Sequence, residues 1–75
     1  MSGDVLEKYY REVLEERLIS HLAAVKGITL EKAMDCYYRS GLAKKIHQGL
    51  DDVQYLDYRV LVRILLNTEP ELFAA

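Results

Sequence analysis

Residues 30–39 read LEKAMDCYYR, and this stretch decides the fold. Leu30, Ala33, Met34, Tyr37 and Tyr38 fall at i, i+3, i+4, i+7 and i+8, the spacing of one helix face. Glu31, Lys32, Asp35 and Arg39 form the wet face. Thr29, just upstream, can accept from the first unpaired amides, so it is read as the N-cap. Gly41, just downstream, is read as the stop. With this segment helical, the same rules can be carried in both directions.

Upstream, Gly27 is the natural end of a long helix that Asp4 can open, with Glu7 three residues on as its capping-box partner. Such a helix is roughly 33 Å long. Its leucines and one tyrosine recur every fourth residue: Leu6, Tyr10, Leu14, Leu18, Leu22. A step of four overshoots a turn by about 40°, so this stripe slants by roughly 160° from end to end. Val5, Tyr9 and Val13 widen it in the first half; Ile19, Ala23 and Val25 widen it in the second. The halves therefore face different ways. Either the helix bends near Arg17, or its halves meet different partners.

Downstream, residues 42–48 predict a short helix with Leu42 and Ile46 inward, stopped by Gly49. Residues 50–56 are ambiguous. Asp51 and Asp52 favour a turn, and Val53 and Tyr55 alternate like a strand. A lone strand has no partner, so the segment is read as a loop. A fourth helix starts after the cap Asp57 and runs to about Asn67. Tyr58, Leu61, Val62, Leu65 and Leu66 share one side, and Val60 and Ile64 lie on a nearly opposite flank. Arg59, Arg63 and Asn67 supply a narrow polar stripe. A helix this apolar belongs at the centre of a core or an interface. Thr68-Glu69-Pro70-Glu71 then reads as a second capping box, opening a last turn with Leu72 and Phe73. The expected fold is all-α: one domain over residues 1–75, a compact bundle of three to four helices.

Size and composition narrow the function classes. A chain of 75 residues has a marginal core and gains from efficient packing or a partner subunit. Cys36 is the only cysteine, which excludes an internal disulfide and suits a reducing compartment. Cys36, His21 and His47 lack the paired spacing of a zinc site, so neither metal nor cofactor is expected. The net charge of −2 disfavours nucleic acid, whose binders carry a basic excess. No apolar run is long enough for a membrane span, and the N-terminus lacks a signal-peptide core. A cytoplasmic location is expected.

Catalytic chemistry finds no support. Cys36 with a histidine lacks a third orienting group, and a structural thiol is the commoner fate. Glu7, Arg11 and Glu15 are spaced as i, i+4 ion pairs on a solvated face. Lys44, Lys45 and His47 form a small basic cluster. Arg59 and Arg63 form another, placed to meet the acids of the first helix. Residues 22–29, LAAVKGIT, resemble a helix-turn-helix corner, with Ala33 at a position that motif keeps small. Against it, Lys26 replaces an apolar residue, and the would-be recognition helix exposes Glu31 and Asp35. The six tyrosines come as Tyr9-Tyr10, Tyr37-Tyr38 and Tyr55/Tyr58. Tyrosine suits edges that are apolar on one side and wet on the other, so these mark either an interface or a tyrosine-rimmed core.

Residues 26–46, KGITLEKAMDCYYRSGLAKKI, followed by YLDYRVLVRILL at 55–66, resemble a family of small bacterial helical proteins of unknown function. The shared features are Gly27-Ile28-Thr29, the acidic-x-Ala-aliphatic step from Glu31 to Met34, the Tyr37-Tyr38 pair and Ser40. A Tyr-rich segment then leads into a last helix. The chain departs from that pattern at residues 50–52, where a longer loop is common. The family is often linked with toxin–antitoxin gene neighbourhoods, which implies an accessory or partner-binding role. The expectation is a non-enzymatic protein–protein interaction module acting as a homodimer, with a further protein partner in such a role. Tyr9, Tyr10 and Val13 of the first helix and Val60 and Ile64 of the fourth are its candidate interface. The alternative is a helix-turn-helix-like regulator that binds DNA.

Overall fold

The computed structural model describes residues 2–49, 53 and 55–73, with the backbone alone for residues 2–5. Among the described residues four α-helices follow one another: α1 (Ser2–Lys26), α2 (Leu30–Arg39), α3 (Gly41–Gln48) and α4 (Tyr58–Thr68). A 3-10 turn, Pro70–Phe73, closes the described chain. No strand occurs among the described residues, and the chain is an all-α bundle.

The helix ends follow local chemistry. Gly27 takes the left-handed conformation at φ 65°, and the Ile28 amide donates back to the Ala23 carbonyl at 3.0 Å. That pattern is a Schellman close, which glycine adopts without steric cost. Thr29 accepts from the Lys32 amide at 3.1 Å and starts α2. Gly49, at φ 68°, ends α3. Asp57 accepts from the Arg59 amide at 2.8 Å and starts α4.

Four expectations are corrected. Asp4 is not a cap, because α1 already runs from Ser2. Nothing in Ser2 or Gly3 forbids helical backbone in a first turn, and an acid there is favoured wherever the cap falls. Gly41 does not end α2; it is the first residue of α3. The break is made by Ser40, extended at φ −79° and ψ 154°. Its hydroxyl donates to the Tyr37 carbonyl and accepts from the Ala43 amide. One buried serine thus closes one helix and opens the next, and no left-handed residue is needed. Thr68 is not a cap either. It lies inside α4, and its hydroxyl donates to the Ile64 carbonyl at 2.8 Å. Its neighbour Glu69 reaches across the bundle instead. The Glu69 carboxylate accepts from the Gly41 amide at 3.0 and 3.2 Å and from the Leu42 amide at 3.4 Å. A carboxylate at a helix N-terminus satisfies free amides and meets the positive end of the dipole. Arg59, finally, pairs with Asp57 at 3.1 Å rather than with the acids of α1.

α1 is the spine, with α2 and α4 both packed on it. Its second half supplies Leu14, Leu18, Ile19, Leu22 and Ala23 to the core. Ala33 and Tyr37 enter from α2, Leu42, Ala43 and Ile46 from α3, and Leu61, Val62 and Leu65 from α4. Leu72 and Phe73 cover one end, and the Lys26 ammonium lies 5.5 Å from the centre of the Phe73 ring. The loop reading holds where it is described: the Leu56 amide donates to the Val53 carbonyl at 3.1 Å, a turn. The Asp51-Asp52 turn lies outside the described residues, as does the Val5 side chain.

The slanting stripe of α1 resolves into an unbroken helix with two fates. No described side chain before Leu14 is buried. At roughly 100° per residue, Leu6, Tyr9, Tyr10 and Val13 centre on the side nearly opposite the core-facing arc of the second half. The first half is an arm, and it helps make the chain 43 Å long against 21 and 18 Å across.

Candidate functional site

Three features stand out: a buried polar junction, the arm, and a groove between α1 and α2.

The junction joins three helices. Glu15 of α1 is only 6% exposed, against the expectation of a solvated Arg11–Glu15 pair. The Tyr37 hydroxyl of α2 donates to its Oε2 at 2.6 Å. Nε2 of His47, from α3, lies 2.8 Å from the same oxygen. The Tyr37 donor offsets part of the cost of burying that carboxylate, and the His47 ring nitrogen lies beside it. Burial, then the hydrogen bond to Glu15 and that carboxylate's charge, hold the Tyr37 phenol well above its ordinary range. Tyr37 is therefore a fixed donor at neutral pH. The signal for Glu15 was in the sequence. On a helical wheel it falls between Leu18 and Ile19, at about 60° against roughly 0° and 100°, inside the buried arc.

The residues considered for thiol chemistry have separate neighbours. Cys36 is buried, and its Sγ donates to the Leu72 carbonyl at 3.4 Å. His21 meets the Tyr58 ring edge-on at 5.5 Å between centroids. His47 is tied to Glu15. Among the described residues no cluster of three or more His, Cys, Asp or Glu is placed to hold a metal.

The arm carries the first candidate interface set. Leu6 and Tyr9 are each 67% exposed, Tyr10 is exposed and Val13 half-buried. The Tyr10 ring leans on the Tyr55 ring, with centroids 6.3 Å apart. Below it, Leu6, Tyr10, Ile46, His47 and Tyr55 line a recess of about 420 Å³. Tyr10 and Val13 also line a second recess with Leu56 and Tyr58. Val60, exposed, and Ile64, half-buried, belong to α4 and line neither recess. The structure thus groups Tyr10 with Val13 and leaves the α4 pair apart.

The groove was not anticipated. Leu30, Met34 and Tyr38 of α2 were expected to face inward, yet they are 58%, 46% and 54% exposed. Cys36 takes part in the burial instead, beside Ala33 and Tyr37. Counting Cys36, the apolar arc of α2 spans roughly 200°, more than one neighbour can cover. Its width was the readable signal. The exposed Leu30, Met34 and Tyr38 join Ile19, Ser20, Glu12, Glu15 and Glu16 of α1 around a groove of about 320 Å³.

With this geometry in view, the chain was compared with protein-family profiles, curated proteins and solved structures. None of them matches. No helix among the described residues is long and apolar enough to cross a membrane.

Proposed function

We propose that this chain is a non-enzymatic protein–protein interaction module that self-associates as a homodimer. The arm of α1 carries the reading. Leu6 and Tyr9, each 67% exposed, lie on a helix whose apolar side turns away from its own core. Contiguous exposed apolar surface on a small chain marks an interaction site. Tyr9, Tyr10 and Val13 form the centre of the proposed contact, and Val60, exposed, with Ile64, half-buried, forms a second apolar strip on α4. An accessory role in a toxin–antitoxin-type system, implied by resemblance alone, is the more specific form of this proposal.

Sedimentation equilibrium at micromolar concentration tests it. The expected mass is twice the 8.7 kDa of one chain, and Tyr9→Asp should return it to that of the monomer. Only 8.7 kDa particles from the unaltered chain would overturn the homodimer. The helix-turn-helix alternative has the Gly27 corner in its favour and the outward Glu31 and Asp35 against it. A gel-shift series over salt concentration separates the two, because phosphate binding weakens steeply with salt.

A further inference from the structure

We propose that the groove between α1 and α2 is the docking site for a basic amphipathic helix of a partner protein. This rests on reading the chain as an interaction module, though not on the homodimer, which uses a different face.

The floor of the groove sets the shape of its occupant. Leu30, Met34 and Tyr38 recur every fourth residue, so they form a row about 12 Å long. A row of that length matches anchors on successive turns of a docked helix. An extended peptide would need a free sheet edge to bond to, and the groove is walled by helices. Methionine at the centre of the row adapts to varied apolar partners.

The walls set its charge. Glu12 and Glu16 stand on the α1 side of the groove. Glu31 and Asp35 stand beyond Met34 and Tyr38 on α2, with Lys32 among them. Asp35 already engages Arg39 at 3.3 Å, so Glu12 and Glu16 carry most of the selectivity. Lysine or arginine stems can lie along the apolar floor while their heads reach those carboxylates. The Tyr38 phenol reports the same negative field. It is raised by burial and then by the charges of Glu15 and Glu12.

A second copy of this chain is a poorer occupant. One basic apolar strip it could offer is Arg59, Val60, Arg63 and Ile64 on α4. Arg59 is already bound to Asp57, and seating α4 in the groove is a head-to-tail contact, which does not generally close into a dimer.

The test uses the whole chain and a designed peptide. The probe is a fluorescein-labelled helix of about 18 residues, some five turns, with leucines on one face and lysines on both flanks. The control keeps the leucines and replaces every lysine with glutamate. Fluorescence anisotropy should show the lysine peptide binding at least about tenfold more tightly than the control, with the margin shrinking as salt rises. Met34→Lys should remove that binding, and circular dichroism should confirm the fold. The double change Glu12→Lys with Glu16→Lys should abolish the preference through residues outside the floor. Equal binding of both peptides, no binding, or a Met34→Lys chain that still binds would overturn the proposal. So would a Met34→Lys chain that loses self-association, because a second copy would then fill the groove. Sedimentation of the same samples keeps the two readings apart. A monomer that binds the lysine peptide removes the homodimer alone, and a dimer that binds neither peptide removes the groove alone.

Discussion

Glu15 shows how one residue can be misplaced by local reasoning and recovered by geometry. Its spacing from Arg11 fits a surface ion pair, yet its angle on α1 puts it among leucines. Once buried, it needs donors, and Tyr37 supplies one, with the His47 ring nitrogen 2.8 Å from the same oxygen. Tyr37→Phe removes one donor from a buried carboxylate and should cost about 1–3 kcal/mol, read by urea denaturation. The pH dependence follows from the raised Tyr37 phenol. A group whose folded pKa lies above its unfolded value stabilises fully below the unfolded value, here about 10. That stability is lost as pH rises past it. The unaltered chain should therefore weaken above pH about 10, by up to about 1.4 kcal/mol per pH unit from this residue. Tyr37→Phe should flatten that decline, as thermal melts across pH 9 to about 11.5 would show. Leu65 is fully buried, and truncating a buried leucine costs about 2–5 kcal/mol. A chain of this size has roughly 4–11 kcal/mol in total. Leu65→Ala should lose most of its thermal transition, whereas Ile64→Ala, only half-buried, should keep a clear one.

Element boundaries were legible where a single residue type has one physical use. Gly27 and Gly49 are left-handed stops, and Thr29 and Asp57 are caps, as their chemistry implies. Ser40 and Glu69 were not legible. Ser40 was hidden by the more obvious Gly41 beside it. Glu69 acts on amides far back in the chain, and sequence carries no mark of that distance. α2 fell between these cases. Its span was read correctly, but its inward face was off by part of a turn, because Cys36 was left out of the arc. Two substitutions test the helix ends. Adding a methyl at Gly27 meets nothing within 4 Å, so Gly27→Ala should cost only the left-handed strain, about 1–2 kcal/mol. Gly27→Asn should cost less, since asparagine tolerates that conformation. Ser40→Ala strips a buried serine from two helix ends and should cost about 1–2 kcal/mol, with helicity lost by circular dichroism.

At the scale of the whole molecule, the all-α bundle was readable because helical periodicity runs through most of the chain. The surfaces were less so. By sequence Tyr9 and Tyr10 fit either an interface or a tyrosine-rimmed core, and both are exposed. Leu30 and Met34 fit the periodic stripe of α2 and so read as inward, and periodicity does not say how much of a stripe its neighbours will cover. α1 itself unites the two regimes, since one continuous helix is core at one end and bare at the other. Its backbone hydrogen bonds should therefore break at very different rates along its length. In deuterated water the amides of residues 7–13 should exchange through local fraying, and those of residues 18–23 only when the bundle opens. Covering the arm closes the faster route. If the arm is the dimer contact, diluting the protein from micromolar to nanomolar should speed exchange over residues 7–13 and leave residues 18–23 unchanged until unfolding sets in. Exchange that is uniform along α1, or insensitive to dilution, would mean that the bare half is held by something other than a second copy. The arm would then act as a clock for its own occupancy, readable residue by residue without a label.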